Sequence, residues 1–184
     1  MSSKTEKYVK ERPSKETVYL TMAFVIAQRS FDNSSKCGCI IVSEDDRILS
    51  AGLNGPIKGV NDNMVPLTRP ETYAPMLHGE ENALIAYSGS KQDIHRATAY
   101  VTGKPCHRCF RMLAQKGIKK IVHGRNATKV LDQDDYDAQK LMLEYGVSVE
   151  FRSLESNDDI IGLLNRTIKY IQNKDKQMDN YQEK

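Results

Sequence analysis

The sequence has no tryptophan and only four phenylalanines beside nine tyrosines, so the largest stacking surface for nucleobases is missing. It has no apolar run near the roughly 20 residues of a membrane-spanning helix. Neither sign of charge dominates: 27 Lys and Arg stand against 24 Asp and Glu, a net charge of +3. That balance permits an anionic ligand but excludes the concentrated basic face of a dedicated DNA binder. The start, MSSKTEKYVKERPSK, is charged and lacks the apolar core of a secretory leader. The glycosylation-like triplets at Asn33, Asn126 and Asn165 therefore carry no weight, and the four cysteines suit a reduced, cytoplasmic interior. Repeats and low-complexity stretches are absent.

What is present is the balance of a soluble globular chain, 39% hydrophobic and 28% charged, with length for one domain. Residues 1–12 alternate Lys and Glu without apolar anchors and read as a flexible tail. The domain proper is expected over 13–152, and a C-terminal helix and tail over 153–184. Pro13 and Ser14 open a helix-like run, KETVYLTMAFVIAQRS, dense enough in apolar residues to be buried. CGCIIVSEDDRILSAG reads as an antiparallel hairpin with a Glu-Asp-Asp turn. Leu53 to Leu77 is irregular and long, which in a compact domain points to function.

From Glu80 the pattern is regular. EENALIAYSG predicts a helix ending at Gly89, followed by a strand in ATAYVTG. Helices in CHRCFRMLAQKG and QDDYDAQKLMLEYG, each stopped by glycine, alternate with strands in IKKIVHG and VSVEFR. Such alternation predicts parallel strands with right-handed crossovers, hence an α/β fold fed by an antiparallel hairpin. The last segment spaces Ile160, Leu164, Ile168 and Ile171 about a turn apart. That suits a helix packed on its own domain, or one that meets another subunit.

The chemistry centres on TGKPCHRCFRML. Cys106 and Cys109, at i and i+3 of a helical turn, can grip one ion, and a helix start favours their thiolates. Pro105 suits that start because it lacks only a donor that would go unpaired. His78, in HGEENAL, is the nearest plausible third ligand. Three protein ligands leave a fourth position for water, the pattern of a catalytic zinc site. Glu80, two residues past His78, can take a proton from such a water and deliver it elsewhere. Spacing alone also fits a thioredoxin-like redox pair, and a structural zinc would want a fourth protein ligand. The His-x-Glu element favours the catalytic reading over both.

HGEENAL followed by PCHRCFRMLAQKGIKKIV resembles the zinc-dependent cytidine and deoxycytidylate deaminases, whose signature is H-x-E…P-C-x-x-C. Within that superfamily the likeness is to deoxycytidylate (dCMP) deaminases, from about Ser14 to Arg152, including KCGCIIVSEDDRILSAGLNG and NDNMVP. The resemblance implies a cytidine deaminase-like three-layer fold, a five-stranded mixed sheet with helices on both faces. It implies zinc on His78, Cys106 and Cys109, Glu80 as proton shuttle, and hydrolytic attack at C4 of cytosine. The product would be dUMP, for thymidylate synthesis, plus ammonia. It further implies that Asn54 bonds the sugar and orders the site, while backbone at Gly79, Lys104 and Pro105 lines the base pocket. A homo-oligomer, commonly a hexamer, and control by dCTP and dTTP with magnesium belong to the same branch.

This sequence departs from the branch at three places. Leu53 stands where an aromatic usually precedes Asn54-Gly55, which weighs against triphosphate control. The tyrosine that usually helps hold the phosphate is missing from GRNATKVLDQDD, leaving Arg125, Asn126, Thr128 and Lys129 as candidates for that role. Gly79 replaces an alanine between the histidine and the glutamate. Cys37 and Cys39 read as small buried hydrophobes, with a second zinc as the alternative. The rival functions are deamination of another cytosine compound or of a nucleic acid, and a zinc-stabilised interaction protein. The lack of tryptophan, the few phenylalanines and the near-balanced charge argue against nucleic acid, and the retained Glu80 against a purely structural site.

Overall fold

The computed structural model describes residues 12–65, 71, 74–125 and 133–182. Ser14 caps the first helix, α1 (Lys15–Ala27), its hydroxyl accepting the Thr17 N–H at 3.0 Å. The hairpin follows as β1 (Gly38–Val42) and β2 (Ile48–Leu53). Asp46 takes a positive φ of 66° in its turn, a conformation Asp tolerates better than most residues.

The irregular stretch is partly ordered. Two-residue strands β3 (Gly55–Pro56) and β4 (Met76–Leu77) pair antiparallel, and a single 3-10 turn covers Asp62–Met64. Helix α2 (Gly79–Ala86) then stops three residues before the expected Gly89, because Tyr87 is already extended (ψ 117°). A four-residue helix α3 (Lys91–Ile94), capped by Ser90, fills the gap before β5 (Thr98–Val101). The remaining elements are α4 (His107–Gln115), β6 (Lys120–His123), α5 (Gln133–Glu144), β7 (Glu150–Ser153) and α6 (Asp158–Gln182). Gly117 and Gly146 end α4 and the α5 turn with φ of 92° and 90°, the left-handed stop that glycine supplies most readily.

The main sheet runs β2-β1-β5-β6-β7, antiparallel across its first two junctions and parallel across its last two. Its faces follow the two-residue alternation of strands. Ile40, Val42, Tyr100 and Val122 pack with Leu20 and Ala23 of α1 and Ile160 of α6. Cys39, Ile41, Ala99, Val101 and Ile121 point the other way, onto Ala83 and Leu84 of α2 and Phe110 and Leu113 of α4. This is the mixed five-stranded sheet covered on both faces that the family resemblance implied. At Gly52 a Cβ would lie 2.2 Å from the Ala83 nitrogen and 2.3 Å from the Gly79 oxygen, so only glycine lets α2 lie this close on β2. That contact fixes the start of α2 beside the start of β1.

Candidate active site

The starts of α2 and α4 meet at the end of β5. His78 caps α2 and Cys106 caps α4. The His78 Nδ1 lies 3.4 Å from the Cys109 sulfur and 3.6 Å from that of Cys106. All three donor atoms lie within 4.8 Å of one another, the only such His, Cys, Asp and Glu group among the described residues. One nitrogen and two sulfurs at these separations suit zinc, whose bonds to them run about 2.0–2.3 Å.

The electrostatics follow from contact and burial. The Cys109 thiol beside Cys106, with His78 adding a second bond, holds the Cys106 sulfur down at about 4. Its pairing with Cys106, and then burial, push the Cys109 thiol upward. The bond to Cys106 raises His78, against the effect of burial. Glu80, only 5% exposed, is raised chiefly because burial penalises its charge. A carboxyl with raised affinity for a proton, next to a metal-ligand cluster, is suited to proton transfer.

Three further side chains, Glu81, Asp135 and Gln139, hold this cluster, and the sequence motifs assigned a role to none of them. Glu81, 3% exposed, accepts the His78 N–H at 2.7 Å and the Arg108 Nη2 at 2.5 Å. It thus joins the histidine's helix to Arg108, one of the two residues between the cysteines. Its position three residues after the cap matches half of a capping box, the one signal that could have found it. From α5, Asp135 accepts the His107 N–H at 3.0 Å and pairs with its Nδ1 at 2.6 Å. Gln139, one turn later, donates from Nε2 to the Pro105 carbonyl at 2.8 Å. The backbone on both sides of Cys106 is therefore gripped by one face of α5.

The expected substrate contacts are found in varied circumstances. Asn54 is 7% exposed and both ends of its amide meet backbone: Oδ1 accepts Cys37 N–H at 2.8 Å, and Nδ2 donates to Ser35 O at 2.7 Å. Those two bonds tie the segment from Ser35 to Cys37 to the residue that follows β2. Gly79 packs on the Cys37 carbonyl, where a Cβ would sit 3.1 Å from the oxygen, so alanine would fit only with a small shift. The Lys104 ammonium lies over the Tyr136 ring, 3.9 Å from its centroid, and burial lowers its pKa. Arg125 donates from Nη1 to Glu155 O at 2.7 Å, and its N–H bonds Asn157 Oδ1. Asn126, Thr128 and Lys129 lie outside the described residues. Cys39 is fully buried, with burial pushing its thiol well up, and Cys37 belongs to no metal-ligand group among the described residues.

Comparison with known proteins agrees with this geometry. The family described as "Cytidine and deoxycytidylate deaminase zinc-binding region" matches residues 13–125, the span holding all three metal-ligand candidates and Glu80. The Homo sapiens deoxycytidylate deaminase is 30% identical over 140 residues, 73% of this chain and 76% of that one. That of Mycobacterium phage D29 is 30% identical over 133 residues, covering 63% of this chain and 98% of the phage protein. Among solved structures, the dCMP deaminase of cyanophage S-TIM5 in complex with dCMP and dUMP superposes with a TM-score of 0.63. It is 27% identical, over 78% of this chain and 98% of that one. With the ligand cluster, the sheet order and the sequence likeness all agreeing, this chain belongs to the cytidine and deoxycytidylate deaminase family.

Proposed function

We propose that this protein hydrolytically deaminates dCMP to dUMP and ammonia, with His78, Cys106 and Cys109 as zinc ligands and Glu80 as proton carrier. The observation that carries the reading is the buried Glu80 beside that ligand cluster, in a chain whose relatives are named deoxycytidylate deaminases. Zinc, when bound, supplies a Lewis acid that makes water nucleophilic near neutral pH. The rest is done by the chain. Water adds to C4 of cytosine while Glu80 takes one of its protons and passes it to N3. Glu80 then carries the second proton to the 4-amino group, which leaves as ammonia as the C4 carbonyl forms. The raised pKa of Glu80 suits a group that must hold and release a proton within each cycle.

Asn54 keeps Ser35 to Cys37 beside the pocket and offers its amide to the sugar, while backbone at Gly79, Lys104 and Pro105 flanks the base. Arg125, Asn126, Thr128 and Lys129 are the candidates to meet the phosphate. The catalytic domain is assigned to residues 13–152, with 1–12 as a tail and 153–184 as an appended helix. The assembly is assigned as a homo-oligomer, a hexamer by family likeness, and the four free cysteines suit the cytoplasm. No helix among the described residues is long and apolar enough to cross a membrane. Magnesium and triphosphate control gain no support.

The test is a panel of dCMP, CMP, deoxycytidine, dCTP, 5-methyl-dCMP and short single-stranded oligonucleotides, read by mass spectrometry for loss of the amino group. Selective conversion of dCMP, abolished in Glu80→Gln with zinc retained, is the expected result. Preference for unphosphorylated deoxycytidine or for oligonucleotides would overturn the substrate. Turnover of nothing would overturn the enzyme.

A further inference from the structure

Asn82 lies on α2 one turn past His78, and its N–H bonds the His78 carbonyl at 3.0 Å. Its side chain reaches out of the helix, where Nδ2 donates to the Leu53 carbonyl at 2.7 Å. Leu53 ends β2, an edge strand of the main sheet, and stands opposite Gly38 of β1. Gly38 turns its own groups the other way: its carbonyl accepts the Thr102 N–H at 3.0 Å, and its N–H donates to Thr102 Oγ1 at 3.2 Å. Gly38 and Leu53 are therefore a non-hydrogen-bonded pair, and the Leu53 carbonyl points off the edge of the sheet. Water could satisfy an edge carbonyl, so the sheet itself does not require a side chain there.

What the bond does is join two parts of the candidate site. On one side is the first turn of α2, with His78 and Glu80. On the other is Asn54, the residue after Leu53. Asn54 is tied to the start of β1 by its own N–H, which bonds the Cys37 carbonyl at 2.9 Å, and by both ends of its amide. Packing alone does little to stop α2 from sliding over this hairpin. Gly52 meets the backbone of Gly79 and Ala83, and Gly79 meets the backbone of Cys37 and Gly38, so neither glycine offers a side chain to interlock. Apolar contact has no direction, whereas a hydrogen bond holds a length and an angle. Asn82 supplies that restraint two residues from Glu80 and one residue from Asn54.

We infer that Asn82 is a positioning residue for the sugar: through the Leu53 carbonyl it sets where Asn54 stands relative to Glu80 and the metal-ligand cluster. The inference rests on the proposed deamination and on Asn54 as the sugar contact. The 3′-hydroxyl is the only hydroxyl on the dCMP sugar, and a displaced Asn54 loses it in the bound and the reacting state alike. Binding then weakens while chemistry at C4 is spared.

The test is steady-state kinetics of the zinc-loaded full chain. Asn82→Leu keeps the bulk and removes the donor, and Asn82→Ala repeats the test should leucine lower the yield of folded protein. Either is expected to raise the KM for dCMP about 3–10-fold, with kcat within about two-fold of wild type and zinc content unchanged. Asn82→Gln, which keeps a donor, should recover most of the loss. On 2′,3′-dideoxycytidine 5′-monophosphate, which lacks the 3′-hydroxyl, the leucine variant should match the wild type. An unchanged KM for dCMP in both variants would overturn the inference. So would equal losses on the two substrates, or a fall in kcat together with zinc, which would make Asn82 a support of the metal helix instead. A wild type that deaminates no cytosine compound would overturn the proposed function and this inference with it, whereas an active wild type with indifferent Asn82 variants would overturn the inference alone.

Discussion

Replacing Glu81 by alanine removes a carboxylate that bonds both His78 and Arg108, at the starts of α2 and α4. The His78 N–H loses a charged acceptor at 2.7 Å in a place that is 97% shielded at the glutamate, so water cannot fully replace it. Losing such a bond costs about 1.5–3 kcal/mol. The second bond, to Arg108, adds less: that side chain is 62% exposed and recovers water, so about 0–1 kcal/mol is due to it. The one buried methylene that alanine lacks adds about 0.8 kcal/mol. A loss of about 3–4 kcal/mol follows, which at about 2–4 °C per kcal/mol for a chain of this length is a fall in Tm of roughly 6–16 °C. Glu81→Gln keeps an acceptor for His78 and sheds only the charge, so its fall should be no more than about 4 °C. Thermal melts of the zinc-loaded proteins by circular dichroism give both values, and zinc capture by a chromogenic chelator should be faster for alanine than for glutamine. An alanine variant melting within about 2 °C of the wild type and giving up zinc at the wild-type rate would refute the argument.

Three other outcomes are expected. Asp135→Ala with Gln139→Leu frees the backbone on both sides of Cys106, so chelators should strip zinc roughly 10–100-fold faster while α4 helicity persists; unchanged stripping would reduce α5 to a packing element. Tyr100, raised to about 12 by burial, should stay un-ionised in absorbance titrations until the protein unfolds. Its folded pKa exceeds its unfolded one, so the stability it lends is whole below pH 10 and is lost between pH 10 and about 12; ionisation near pH 10 in folded protein would contradict this. Gly52→Ala should yield little folded protein on expression, since its Cβ would meet α2 backbone at 2.2 Å; a variant of wild-type Tm would show that α2 can step away.

Much of the candidate site is legible in the sequence because His78, Glu80, Cys106 and Cys109 sit in two short motifs at helix starts. The stops at Gly117 and Gly146 and the cap at Ser14 are legible for a similar reason, since each is a local backbone requirement. The supporting residues are not. Glu81 with Arg108, Asp135 with His107 and Gln139 with Pro105 span 27, 28 and 34 residues, and only the docking of α2, α4 and α5 brings them together. Helix α3 escapes notice because four residues cannot display a period, and β3 because Gly-Pro looks like a turn. The apolar spacing of α6 was visible, but periodicity does not say whether a stripe faces its own core or another molecule.

The close seat of α2 on β2 at Gly52 has a consequence for how the chain folds. His78 belongs to a unit built from the local β1–β2 hairpin and the helix resting on it. Cys106 and Cys109 belong to another, the β5-α4-β6 crossover with its parallel pairing. The two units join where β1 pairs with β5, matching Cys39 with Val101 across some sixty residues of chain. Joining across so long a loop is the slow kind of step. The metal donors come together only once it is complete, so zinc has no preformed seat in either half-folded unit. Zinc held by these donors would latch the finished fold, slowing unfolding far more than it speeds folding.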